Sequence, residues 1–182
     1  LLLISIKLRD DGFVEHETST TTKQMSCKTS IGSTTAHTDF GTSLAYNPTS
    51  NMVIVGAPGK IGGGTIWFLT LTSTLGVANA VELDTSDLSL SNGDRFGEAV
   101  TILTNSSAGA DYDGDLETLD IVVSAPAAMT DSDIRQGVLY IICLYPSTGK
   151  ISSFYRLADF SNFVSTPIGS GDRLGQGLAA LG

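Results

Sequence analysis

Gly93-Asp94-Arg95-Phe96-Gly97-Glu98-Ala99-Val100 is the stretch that decides the fold, because two other segments of the chain match it. They are His37-Thr38-Asp39-Phe40-Gly41-Thr42-Ser43-Leu44 and Gly171-Asp172-Arg173-Leu174-Gly175-Gln176-Gly177-Leu178. Each sets an Asp, an aromatic residue or Leu, and then Gly ahead of an apolar run. A second element follows the first two starts, as Val53-Ile54-Val55-Gly56-Ala57-Pro58 and Ile121-Val122-Val123-Ser124-Ala125-Pro126. A third follows in turn, as Gly64-Thr65-Ile66-Trp67-Phe68-Leu69 and Gly137-Val138-Leu139-Tyr140-Ile141-Ile142, and a looser stretch then ends near Val81-Glu82-Leu83 and Phe154-Tyr155-Arg156-Leu157. Recurrence over tens of residues marks small units that cannot bury their own apolar faces and must stack.

The apolar runs are short, rich in Val, Ile, Leu, Phe and Tyr, and separated by Gly, Ser, Asn and Asp clusters, which predicts an all-β chain. Strands are expected over 1–8, 52–55, 65–71, 98–103, 121–124 and 137–145, with no amphipathic helix. Several of them are apolar on both faces. In an antiparallel protein that calls for sheets covered on both sides, and four strands per unit is the make-up of a propeller blade. The repeats are unequally spaced because extra polar residues fall in loops, where added length costs little closure entropy. The expected organisation is the end of a preceding blade over 1–36, a whole blade over 37–91, a second over 92–168 and the start of a further one over 169–182. The fold expected is therefore an incomplete β-propeller arc of about two to three four-stranded antiparallel blades, needing further blades of the same parent chain beside it.

Hydrophobic residues make up 41% of the chain and charged residues only 16%, so it is too apolar to be a disordered tail. Ten basic against nineteen acidic residues give a formal charge of −9, which repels a phosphate backbone and argues against a nucleic-acid partner. The apolar start ends at Lys7, Arg9, Asp10 and Asp11, far short of the roughly 20 residues needed to cross a bilayer, so no transmembrane segment is expected. Cys27 and Cys143 have no C-x-x-C or His-rich neighbourhood and read as free thiols, and Asn105-Ser106-Ser107 is a possible glycosylation sequon.

Phe-Gly paired with a downstream Gly-Ala-Pro, with an acidic loop between them, resembles the FG-GAP repeat of the β-propeller head of integrin α-subunits. The resemblance covers 39–182. It implies a Ca²⁺ loop just before the second Gly-Ala-Pro-like strand, with carboxylates at alternate positions in Asp111-Tyr112-Asp113-Gly114-Asp115-Leu116-Glu117-Thr118-Leu119-Asp120. Asp111, Asp113 and Asp115 would converge on one ion, the chain near Glu117 would add a ligand, and Asp120 would close the site. This loop has one more residue before Asp120 than the family pattern, and Leu116 where Gly is usual. An EF-hand is excluded, since Val122 rather than Glu stands twelfth from Asp111. A solvated acidic hairpin is the plain alternative, but four carboxylates this close repel one another unless a cation joins them. The corresponding segment of the first unit, 45–51, contains no carboxylate and is expected to be metal-free.

Catalytic motifs are missing: the two histidines, His16 and His37, stand in polar stretches, and no G-x-S-x-G elbow, P-loop or dinucleotide fingerprint occurs. The chain therefore reads as a module and not as an enzyme. Its resemblance implies an extracellular or cell-surface Ca²⁺-binding propeller that binds a protein or glycan on one loop face, with the cation loops on the opposite side. The alternatives are an accessory propeller of a larger secreted hydrolase, such as a phospholipase D-like enzyme, and a structural spacer in a surface protein.

Overall fold

The structure is a computed structural model that describes residues 6–8, 14–16, 38–103, 118–130, 134–158 and 168–180. Among the described residues it is all-β apart from one 3₁₀ turn at Ser86–Leu88. A short antiparallel pair, β1 (Ile6–Leu8) and β2 (Val14–His16), precedes two four-stranded antiparallel sheets. The first sheet contains β3 (Leu44–Asn47), β4 (Met52–Ala57), β5 (Thr65–Leu71) and β6 (Val77–Glu82), each paired with the next. The second contains β7 (Val100–Ile102), β8 (Leu119–Ala125), β9 (Val138–Tyr145) and β10 (Lys150–Leu157), again in simple succession. Among the described residues no helix is long and apolar enough to cross a membrane.

The sheets pack face to face. Met52, Ile54, Ile66 and Phe68 of the first interlock with Ile121, Val123, Tyr140 and Ile142 of the second, around Phe96 from the connection between them. The alternate residues Val53, Val55 and Leu69 form a second apolar cluster on the other face of the first sheet, with Phe40, Trp67 and Val77 against it. β4 is consequently buried along its whole length, which explains why its sequence shows no polar alternation. Fully burying a side chain such as Phe68 or Ile54 stabilises the fold by about 1.5–3 kcal/mol.

The two sheets are built alike down to individual hydrogen bonds. Asp39, Arg95 and Arg173 occupy the same place in the three repeat starts, and all three are non-glycine residues with positive φ, at 52°, 62° and 54°. Two positions on, Gly41, Gly97 and Gly175 have φ of 94°, 94° and 89°. The Gly41 amide donates to the Gly56 carbonyl (2.8 Å) and the Gly97 amide to that of Ser124 (2.9 Å), which pins each start to its own sheet. The Gly59 and Ala127 amides donate back to the carbonyls of Thr38 and Asp94 (2.9 and 3.1 Å). Even the irregularities coincide: Ala78 in β6 and Ser152 in β10 are skipped at one register position in the two sheets. Such a bulge adds twist to an outer strand and blunts its unpaired edge.

The rule joining one unit to the next is also used twice. The Phe96 amide donates to the Gly63 carbonyl (2.8 Å) and the Leu174 amide to that of Gln136 (2.7 Å). Gly64 lies so close to Phe96, and Gly137 so close to Leu174, that a side chain at either glycine would run into backbone atoms of the following start. Successive starts also meet directly: Arg95 Nη1 lies 3.4 Å from Asp39 Oδ2, while its Nε donates to Glu98 Oε2 at 2.8 Å. That Glu98 hydrogen bond raises the affinity of the Arg95 guanidinium for its proton.

Several boundaries differ from the sequence expectation, and the strands expected over 52–55 and 121–124 run on to Met52–Ala57 and Leu119–Ala125. Glu98 belongs to the turn closed by its amide on the Arg95 carbonyl, so the predicted strand 98–103 is reduced to Val100–Ile102. In the first unit, Ala45, Tyr46 and Asn47 are strand and not loop, because β3 pairs with β4 up to Asn47↔Met52. The β1–β2 pair occupies the segment assigned to the preceding unit, while residues 1–5 lie outside the described residues.

Candidate functional site

The connection from β7 to β8 carries the acidic segment, and β8 brings its last member, Asp120, back into the sheet. Asp120 sits between Leu119 and Ile121, pairs in register with Cys143, and is 1% exposed. Asp111, Asp113, Asp115 and Glu117 lie outside the described residues. Among the described residues no three His, Cys, Asp or Glu side chains are grouped for a metal. The equivalent of Asp120 in the first sheet is Met52, an apolar residue in the core, so the fold itself does not require a carboxylate there. An ionised carboxylate withdrawn from water needs cations or donors to offset its lost hydration. The remaining donors of the segment are all oxygens, the ligand type that Ca²⁺ takes, so the chemistry of the set fits that ion.

The first sheet closes the equivalent turn with side-chain amides. Asn47 Oδ1 accepts from the Thr49 and Ser50 amides at 3.0 and 3.4 Å. Asn51, at φ 49°, donates through Nδ2 to the Leu71 carbonyl and accepts from the Tyr46 hydroxyl, both at 2.9 Å.

The opposite end of the second sheet holds a cavity of about 510 Å³. One wall is the connection between the sheets, with Asp87, Ser89, Ser91 and Asp94; the other is the β8–β9 turn and the end of β10, with Met129, Arg135 and Arg156. Tyr140 and Phe154 also line it. Tyr140 is fixed edge-on against Phe96, with ring centroids 5.4 Å apart at 77°, and Phe154 lies 6.5 Å from Tyr140. Asp94 is buried, and its Oδ2 accepts from the Ser91 amide at 2.8 Å, so it braces the connecting wall. Asp172 makes the same bond to the Gly169 amide at 2.6 Å in the next start, which marks it as a structural element of the repeat. Arg135 Nη1 donates to the Ala127 carbonyl at 2.7 Å, and Arg156 Nη2 donates to the Met129 carbonyl. At the entry to the connecting wall, hydrogen bonds from Ser86 hold the exposed Asp84 carboxyl below its ordinary value.

Neither Arg135 nor Arg156 stands out in the sequence, since no motif surrounds them. The signal lies in comparing repeats. In the first sheet the residue at the place of Arg156 is Glu82, which forms an ion pair with Lys60, and the place of Lys60 is taken in the second sheet by Ala128. The two units thus build this corner from different side chains. No family model matches the chain and no curated protein matches it.

Proposed function

We propose that this chain is an arc of an FG-GAP-type β-propeller in an extracellular or cell-surface protein, working as a binding module whose acidic loop holds one Ca²⁺. The observation that carries this reading is the doubled junction: Phe96 on Gly63 and Gly64, then Leu174 on Gln136 and Gly137. Units that join by one repeated rule generate a regular array, and four-stranded antiparallel units in such an array suit a propeller. In this arrangement β7 and β8 carry the acidic loop at one end, and the inter-sheet connection and β8–β9 turn form the other. The cation loop then stiffens one end while ligand contacts fall to the opposite loops. Ca²⁺ would supply charge neutralisation to Asp111, Asp113, Asp115 and Glu117, with Asp120 joining the site from a buried strand.

Calorimetric titration with CaCl₂ tests this. One site is expected, with an affinity on the order of 10⁻⁴–10⁻³ M typical of extracellular modules. At a hundredfold excess over the dissociation constant, the ion should add about 2.7 kcal/mol to unfolding stability. Asp113→Ala and Asp120→Asn should each abolish both the heat and the stabilisation. Absence of heat in the unaltered protein would reject the cation site, and heat unchanged in both variants would place it elsewhere.

A further inference from the structure

We infer that Asn92 is a site of spontaneous modification: its side-chain amide is lost to attack by the backbone nitrogen of Gly93, and the isoaspartate that results loosens the junction between the two sheets. This goes beyond the binding-module reading and does not depend on the cation loop.

Sequence supplies the first condition. A backbone nitrogen attacks the side-chain carbonyl carbon of the preceding asparagine most readily where it carries a proton and no side chain stands over it, so an asparagine before glycine is the reactive case. Asn92 is the one asparagine of this chain that precedes glycine. Asn47, by contrast, precedes Pro48, whose nitrogen has no proton to lose.

The structure supplies the other conditions. Ser91, Asn92 and Gly93 are exposed, in a turn closed by the Asp94 amide on the Ser91 carbonyl at 3.1 Å, so water and base reach the reacting atoms. The space beside Gly93, at φ 88°, is open, since a Cβ there meets nothing within 4 Å. Among the described residues no group accepts from the Gly93 amide, which leaves its nitrogen available. The electrophile is prepared as well. The Gly62 amide donates to Asn92 Oδ1 at 2.7 Å, on the oxygen that takes up negative charge as the ring closes. In the step itself the Gly93 nitrogen forms a bond to Asn92 Cγ while the bond from Cγ to Nδ2 breaks. The proton of the Gly93 amide passes through solvent to the leaving nitrogen, which departs as ammonia. Water then opens the cyclic imide at either carbonyl and gives aspartate or isoaspartate.

The turn itself does not need asparagine. In the third start the Asp172 amide donates to the Gly169 carbonyl at 3.3 Å and the Gly169 amide to Asp172 Oδ2 at 2.6 Å, matching the 3.1 and 2.8 Å bonds between Ser91 and Asp94. Ser170 takes the place of Asn92 there, and a serine cannot cyclise in this way. The two products differ in consequence. Aspartate keeps the main-chain path and an acceptor for the Gly62 amide, whereas isoaspartate routes the main chain through the β-carbon and lengthens the turn. Leu90 and Ser91 lie so close to Gly63 that a side chain on that glycine would run into both, and the Phe96 amide reaches the Gly63 carbonyl at 2.8 Å. A longer turn therefore disturbs the contact that joins the sheets.

The test is incubation of the folded chain at neutral and at mildly alkaline pH, read by peptide mapping in a mass spectrometer and by enzymatic methylation of isoaspartate. The chain denatured in guanidinium at the same pH is the reference. Conversion is expected at Asn92 ahead of every other asparagine, faster at the higher pH, and at least as fast in the native chain as in the denatured one. Asn92→Ser, which copies the third start, and Gly93→Ala should each slow it by about tenfold or more. If one of them fails to fold, the other decides. An unconverted Asn92, slower conversion in the native chain than in the denatured one, or conversion unchanged by either variant would overturn the site. The purified isoaspartate form should unfold at a lower guanidinium midpoint than fresh protein, while Asn92→Asp keeps the fresh midpoint. Equal midpoints for the isoaspartate and fresh forms would overturn the effect on the junction.

Discussion

Replacing Gly64 by alanine should cost about 3–5 kcal/mol of unfolding free energy, whereas the same change at Gly62 should cost only about 1–2 kcal/mol. The two glycines are two residues apart with nearly equal φ, 102° and 100°, so the backbone strain of a side chain is common to both. Their surroundings differ. A Cβ on Gly62 meets nothing within 4 Å, while one on Gly64 falls 2.2 Å from the Phe96 carbonyl oxygen and 2.8 Å from its amide nitrogen. Backbone cannot move aside as the end of a flexible side chain does, so the alanine would push the following start off the first sheet. Guanidinium unfolding curves with unchanged slope and separated midpoints are the readout. Equal losses at the two positions would mean that the Phe96 junction contributes nothing to stability.

Phe96→Ala is the companion expectation, with a loss of about 3–5 kcal/mol. Phe96 is fully buried between the sheets and edge-on to Tyr140, so its truncation opens a cavity inside the shared core. Leu174 stands at the same place in the third start but is only half-buried, so Leu174→Ala should cost about 1 kcal/mol. A loss at Leu174 as large as at Phe96 would show that burial does not set the difference.

Much of this architecture is legible in the chain. The runs Met52–Ala57, Thr65–Leu71 and Val138–Tyr145 are continuous and apolar because both faces of their sheets are covered, and they mark their own strands within a residue or two. Phe40-Gly41 and Phe96-Gly97 announce the turns, since only a small set of residues tolerates their φ angles. The strand ends are less legible: Glu98 looks as extended as Val100, and only the Arg95 carbonyl that captures its amide makes it part of a turn. Of the acidic segment, Asp120 is placed by its strand, while its companions stand outside the described residues. The cavity is the least legible feature. Arg135, Arg156 and Asp87 are far apart in sequence and carry no pattern, and their meeting depends on how one sheet stacks on the other.

The serial wiring of the strands has a kinetic side. Every ladder within the four-stranded sheets joins strands that follow one another along the chain, so each sheet closes by local hairpins at small entropic cost and should form quickly. The shared core is different, because Ile54, Ile66 and Phe68 are covered only once β8 and β9 have been made. During synthesis the leading sheet therefore emerges with a greasy flank that waits for its successor, and the vulnerable interval lasts as long as the ribosome takes to deliver the second sheet.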